Sequence, residues 1–343
     1  MANAAASSSK NNDDEIKLWV ESIEKDRGGV YSLLSVNSIF RVPLRIRKLK
    51  PEAYAPQLVS IGPLHYNEEH LQPMQSHKLR YLNHFLDRQK GKKTLDDYVK
   101  AVSEVKEDAR KCYSETTGKG FQEDEFVKIM LPFRVLKCLY DKNYEGLSTT
   151  NTLSQDIYEF LLRWFVKEFY GPSQFPSIQF PEGEPKHLKN ILIKSSTRSR
   201  KYCKERLYRT SCASKLKGAG VKFQKKKLSD SPETSLFDIT FDKDKEELTI
   251  PTVKIVDSTE HILRNLIAFE QYQSDTRYFA TYATFMDGLI DTHTDVELLE
   301  AKGIIVNRLG NPEDVVILFN NIVKHVLNND PYFSGIIKDV ENY

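Results

Sequence analysis

The chain has 343 residues, a hydrophobic fraction of 40% that can supply a substantial core, and 50 Lys and Arg against 48 Asp and Glu, a net charge of only +2. Charges so nearly balanced exclude a whole-molecule field that would draw the protein to nucleic acid or an acidic membrane, so any such attraction must come from a local patch. Four cysteines, Cys112, Cys138, Cys203 and Cys212, form no Cys-x-x-Cys pair and no cluster with His at metal-ligand spacing, which reads as reduced thiols in a cytosolic compartment.

Residues 1–15 are small and polar and then acidic, without an apolar signal run, and read as a disordered tail. The remainder, 16–343, reads as a single helical domain. No run of about eighteen apolar residues occurs, so the chain as given is not expected to span a bilayer. From Phe40 to Met74, prolines and Gly62 break any long helix, while the apolar residues between them are numerous enough to pack; this is an ordered, loop-rich segment. From Gln75 to Asp87 the spacing of Leu79, Leu82, Phe85 and Leu86 predicts a helix with one apolar face. His77 and His84 stand opposite it, two turns apart and too distant for one ion, as solvated side chains.

A charged helix is predicted over Leu95–Tyr113, with a break at Gly118 and Gly120 and another helix from Glu123. Thr152 and Gln155 make a capping box for a helix carrying Leu153, Ile157, Phe160, Leu161, Trp164 and Phe169, which ends at Gly171-Pro172. Residues 186–227 hold about fifteen Lys or Arg against one acid, Glu205, a basic segment suited to phosphate or anionic lipid or, more simply, a solvated loop and helix face. Beyond Gly220, the alternation of Val221 and Phe223, Leu236, Ile239 and Phe241, then Leu248, Ile250, Val253 and Ile255 predicts a small antiparallel β-sheet over about 221–256. Four more segments follow. Asp257 caps a helix holding Ile262, Leu263, Leu266 and Ile267; Tyr278, Tyr282, Phe285, Met286 and Leu289 line the next; Thr294 and Glu297 box a short one stopped at Gly303; Asn311-Pro312-Glu313-Asp314 starts the last. The fold class is mainly α.

Among residues that could carry chemistry, Glu270 projects near the centre of the stripe formed by Ile262, Leu263, Leu266 and Ile267. Buried there, a carboxylate needs a cationic or hydrogen-bonding partner, and a structural pair with an Arg is the favoured reading. Asp287, Asp291 and Asp295 recur every fourth residue, a spacing used by magnesium-holding helical cyclases, but no second acidic motif accompanies them and a solvated acidic edge is favoured. Ser60 and His65 are close in sequence, yet Gly62-Pro63 between them makes a turn and no nucleophile elbow is present. Arg41, Arg45, Arg47, Lys48 and Lys50 form a cationic cluster that could meet an anionic head group or a partner's acids. No catalytic, cofactor-binding or metal residue is assigned and no cofactor is expected. The interaction candidates are Arg41, Arg45, Arg47, Ser60, His65 and Glu270.

Phe40-Arg41-Val42-Pro43, Tyr54-Ala55-Pro56-Gln57, Ser60-Ile61-Gly62-Pro63-Leu64-His65 and Leu71-Gln72-Pro73-Met74, with His77-Lys78 and Tyr81 after them, resemble the opening signature of the plant "domain of unknown function 247" family. Ala219–Phe223, Leu236–Phe241, Arg264–Glu270, Met286–Ile290 and Asp295–Leu299 with Gly303-Ile304-Ile305 resemble its later blocks in the right order, so the likeness covers about residues 37–325. Family members normally carry several tens of residues after the helix that corresponds to Glu125-Phe126-Val127. Here Met130-Leu131 runs straight into Pro132-Phe133-Arg134-Val135-Leu136, and the resemblance implies that an internal piece is missing. It also implies plasma-membrane association through a C-terminal hydrophobic segment, which this chain, stopping at Tyr343, is expected to lack; a cytoplasmic or peripheral location follows. The family supplies no established catalytic residue, and some grass members are associated with pollen-side self-incompatibility.

The expectation is a non-enzymatic recognition or signalling protein with a protein partner, perched near a membrane surface and reading no specific nucleic acid. The rivals are a helical enzyme with an acidic site around Glu270 or Asp287 and Asp291, and a binder of anionic lipid or nucleic acid through the basic segment.

Overall fold

The computed structural model describes residues 17–24, 39–62, 65–88, 93–113, 138–142, 168–169, 209–226, 235–273, 277–327 and 332–343. The helices expected from Glu123 and over most of Thr152–Phe169, and most of the basic segment, lie outside them.

The signature segment opens with a single helical turn, α1 (Leu44–Arg47), entered from Pro43, whose fixed φ suits a helix entry. A 3₁₀ turn at Pro51–Tyr54 follows, and Ile46, Ala53, Ser60 and Leu71 are buried side chains of this segment. Two longer helices come next. α2 (Pro73–Arg88) begins with proline, and α3 (Leu95–Lys111) begins with a capping box in which Thr94 N–H donates to Asp97 Oδ2 at 2.7 Å and Asp97 N–H donates to Thr94 Oγ1 at 3.3 Å. The two touch through Phe85 and Tyr98, ring centroids 5.2 Å apart. A small cluster of Val102, Ala109 and Tyr113 forms the core of this region, and Ile39 joins it through a parallel bridge to Tyr113.

Most of the core belongs to the C-terminal half. Helix α4 (Ala213–Gly218) leads into β1 (Lys222–Lys226), β2 (Thr240–Asp242) and β3 (Glu247–Pro251), and then β4 (Val253–Ile255). Three helices follow, α5 (Thr259–Gln273), α6 (Tyr278–Leu289) and α7 (His293–Ala301), before β5 (Ile305–Asn307), α8 (Pro312–Ile322) and α9 (Ser334–Glu341). Asn311 caps α8 as its sequence predicts, Oδ1 accepting from Glu313 N–H at 3.1 Å with Pro312 at the first helical position.

The architecture is mainly helical with a small sheet, but the strand pairing corrects the antiparallel expectation. β2 and β3 form an antiparallel hairpin, Phe241 opposite Leu248, turned by Asp242, whose Oδ1 accepts from the Asp244 and Lys245 amides. β1 lies on the far side of β3 and runs parallel to it, Phe223 opposite Leu248. β4, expected in the same sheet, pairs instead with β5 in a second, parallel ladder, Val253 opposite Ile305. The alternation that identifies Leu248 and Ile250 as inward-facing is the same for either direction. Direction is set by the crossovers, 227–239 before β2 and α5–α7 before β5.

α6 is the centre of the molecule, with Phe279, Tyr282, Phe285, Met286 and Leu289 all buried. Near its end Gly288 lets the chain at Thr210 lie against the helix backbone. A Cβ there would sit 2.7 Å from Thr210 Cγ2 and 3.0 Å from the Thr210 carbonyl. Gly288→Ala is therefore expected to destabilise by about 1–3 kcal/mol in chemical denaturation, despite the higher helix propensity of alanine, because backbone on the other side cannot yield.

Candidate functional site

The signature segment lies along α5 as a strap. Phe40 stacks on Tyr272, centroids 3.8 Å apart and planes 19° apart, with Phe269 6.1 Å away. Further along, Asn265 Nδ2 donates to the Ala53 carbonyl at 2.8 Å. At the start of α5, Glu260 receives Lys50 from the strap and, at 2.8 Å, Nε of the buried Arg264 from its own helix. Burial alone would raise the Glu260 carboxyl, but Lys50 and Arg264 together hold it below the ordinary glutamate value. The Tyr54 phenol beside them is pushed up, chiefly by burial against the pull of Arg264. Glu260→Ala strands the Arg264 guanidinium and releases Lys50. We expect a loss of about 1–2 kcal/mol and faster amide exchange in residues 50–55, read by hydrogen-exchange mass spectrometry.

Ser60 and His65 are not brought together as a reactive pair. Ser60 is buried, its Oγ within reach of Gln75 Nε2 at 3.1 Å and Lys78 Nζ at 3.4 Å on α2, where partial burial lowers the Lys78 ammonium. His65 Nδ1 is engaged by Glu68 on the same loop. Both fasten the strap's far end rather than poise a nucleophile. Arg41, Arg45 and Lys48 are exposed and Arg47 is half-buried. The same segment leaves large apolar groups in solvent: Leu44 is 55% exposed, Leu58 74% and Ile61 65%.

Glu270 is fully buried at the last turn of α5. Its two oxygens accept from the Phe279 and Ala280 amides, each at 2.9 Å. These are the second and third residues of α6, whose cap residue Arg277 provides no side-chain acceptor, so a carboxylate from the preceding helix satisfies amides that the helix itself leaves open and sits at the positive end of its dipole.

The three aspartates are likewise separated by their tasks. Asp295 is buried and binds two helix starts at once. Oδ1 accepts from Ser214 N–H at 2.7 Å and Ser214 Oγ–H at 2.6 Å at the head of α4, while Oδ2 accepts from Thr292 N–H at 2.9 Å, Thr292 Oγ–H at 3.1 Å and Asp291 N–H at 3.2 Å. Burial would raise this carboxyl, and the five donors outweigh it, holding it below the ordinary aspartate value. The box at α7 therefore begins at Thr292, two residues before the Thr294 of the sequence expectation, because Asp295 can serve both helices from there. Asp287 is mostly buried, which raises its carboxyl; Arg209, 3.5 Å away, opposes this and Asp291 adds to it. Among the described residues no group of three or more His, Cys, Asp or Glu is placed to hold a metal ion, and no helix is long and apolar enough to cross a membrane.

Glu260, Arg264, Asn265 and Ser214 were missed by sequence reasoning. The i,i+4 spacing of Glu260 and Arg264 was the one available signal; Lys50 and Ala53, the strap partners of Glu260 and Asn265, lie more than 200 residues away along the chain.

A mainly helical domain fastened by an N-terminal, proline-rich strap defines the class. The family model described as plant protein of unknown function, the domain of unknown function 247, matches residues 39–131 and 131–343, and the chain belongs to that family. UPF0481 protein At3g47200 of Arabidopsis thaliana is 27% identical over 382 residues, covering 89% of this chain and 76% of the relative. Putative UPF0481 protein At3g02645 of the same plant is 30% identical over 132 residues, 38% of this chain and 24% of the relative. No solved structure matches. The two matched segments meet at Leu131, where the sequence pointed to a missing internal piece. Since 89% of 343 residues is about 305, about 77 of the 382 aligned positions have no counterpart here.

Proposed function

We propose that the protein is a non-enzymatic recognition protein that works through protein–protein contact at the outer side of the strap. The observation that carries this is the division of labour within one segment. Its inner side is spent on α5, while Leu44, Leu58 and Ile61 stand in solvent and Arg41, Arg45 and Lys48 of the same segment are exposed too. The partner that fits is a protein segment with apolar anchors flanked by Asp or Glu, met at the inner face of a membrane where this chain is peripheral. Of the carboxylates in the rival acidic-site reading, Glu270 accepts from the first amides of α6 and Asp287 faces Arg209 at 3.5 Å, which supports recognition over catalysis.

Leu58→Asp with Ile61→Asp tests this reading. Both side chains are exposed, so the melting temperature is expected to stay within about 2 °C of the parent chain. In affinity capture from plant tissue the double variant should lose the proteins that the parent chain retains, and Arg45→Glu should weaken the same set in a salt-dependent way. An identical captured set from parent and double variant would rule the strap out.

A further inference from the structure

Two serines near the head of α4 grip a carboxylate in the same way, each through both its amide and its hydroxyl. Ser214 gives both groups to Asp295, a buried carboxylate that holds two helix starts. Ser211 gives both to Glu341 at the end of α9, its N–H donating to Oε1 at 2.5 Å and its Oγ–H to Oε2 at 3.0 Å. The chemistry is shared but the setting is not. Glu341 is exposed and Ser211 half-buried, so this second fork adds little to global stability. What it does is fasten the last turn of α9.

α9 depends on such fastenings. A helix as short as Ser334–Glu341 does not persist by itself in water, so it keeps its shape only while docked. Its apolar hold is Phe333, just before it, with Ile337 and Val340. Three polar contacts tie its far end: Asp339 with Lys243 at 2.7 Å, Glu341 with Ser211, and the Tyr343 hydroxyl, which donates to Glu246. The Ser211 contact is one that a single reaction turns from attraction to repulsion. We propose that Ser211 is a phosphorylation site and that its phosphate undocks α9. A protein kinase transfers the terminal phosphoryl group of a nucleoside triphosphate: the bond from Oγ to phosphorus forms, the bond from phosphorus to the diphosphate oxygen breaks, and the serine proton passes to the kinase's base. The product has lost the donor O–H and sets a charge of about −1.5 to −2 against the Glu341 carboxylate. Arg206 and Arg209 precede Ser211 in sequence, the kind of charge pattern by which kinases choose substrates. The neighbouring hydroxyls are committed elsewhere. Thr210 is buried against Gly288 and Ser214 is held by Asp295, which singles out Ser211.

The full chain is incubated with a plant-tissue extract and magnesium ATP, and the tryptic peptide 210–215 is sequenced by mass spectrometry. Phosphate is expected at Ser211. Hydrogen exchange of the amides in 334–341 should then be faster by about tenfold or more, with α5 and α6 unchanged. Ser211→Glu should reproduce the effect, and Glu341→Lys in that background should restore slow exchange, because the repulsive pair becomes an attractive one. Ser211→Ala, which keeps the N–H bond to Glu341, should change exchange by less than about threefold. A peptide without phosphate at Ser211, or a folded Ser211→Glu chain whose α9 exchanges as the parent's does, overturns the proposal. If Ser211→Glu does not fold, the chain phosphorylated after folding gives the same readout, and unchanged α9 exchange there overturns it.

Discussion

Glu270→Ala is expected to be the most damaging single substitution in the molecule, costing about 3–5 kcal/mol in urea or thermal unfolding, because it leaves the two α6 amides buried without an acceptor and opens a void beside them. The carboxylate is fully buried, accepts from both amides at 2.9 Å and sits where the α6 dipole is positive. Glu270→Gln separates shape from charge. Its one carbonyl oxygen keeps one acceptor, but the NH₂ that replaces the other oxygen faces an amide donor, so about half of the loss should remain. A Gln variant as stable as the parent chain would mean that the carboxylate does not hold α6.

Asp295→Ala is expected to cost about 2–4 kcal/mol, since one side chain serves the starts of both α4 and α7. This residue also predicts a pH dependence with a definite sign. Its folded-state carboxyl is held below the unfolded value of 3.8, so its contribution is complete above that value and is lost as pH falls through the lower folded one. The parent chain should therefore lose stability on this account only in the acid limb, whereas Asp295→Asn should be less stable at neutral pH and show a flatter limb below about pH 4. Parallel stability–pH curves for the two chains would refute the assignment.

Helices were legible where apolar period and start signal coincided, as at Asn311-Pro312 before α8, because both are local. The burial of Glu270 was legible for the same reason, as a polar residue in an apolar stripe. Its hold on α6 was not, because the open amides of a neighbouring helix leave no mark in a sequence beyond the lack of any capping side chain at Arg277. Strand directions and the placement of β4 with β5 were hidden because they depend on crossovers. The strap's hold on α5 was hidden because Lys50 and Ala53 meet Glu260 and Asn265 only across most of the chain. The apolar period on α2 was misleading at Leu79 and Leu82, which are exposed, because period alone does not say whether a packing surface is present.

The separation of 212 residues between Ala53 and Asn265 also sets an order of events on the ribosome. The strap is made first, yet α5, on which it rests, is made last but one-fifth of the chain. At about 5–20 residues per second, some 10–40 s pass between the two. For that interval Phe40, Ile46 and Ala53 have no surface to join, and closing so long a loop adds an entropic delay of its own. The nascent chain therefore spends its early life with its family signature undocked, a natural client for chaperones, and the strap can seat only once α5 has emerged.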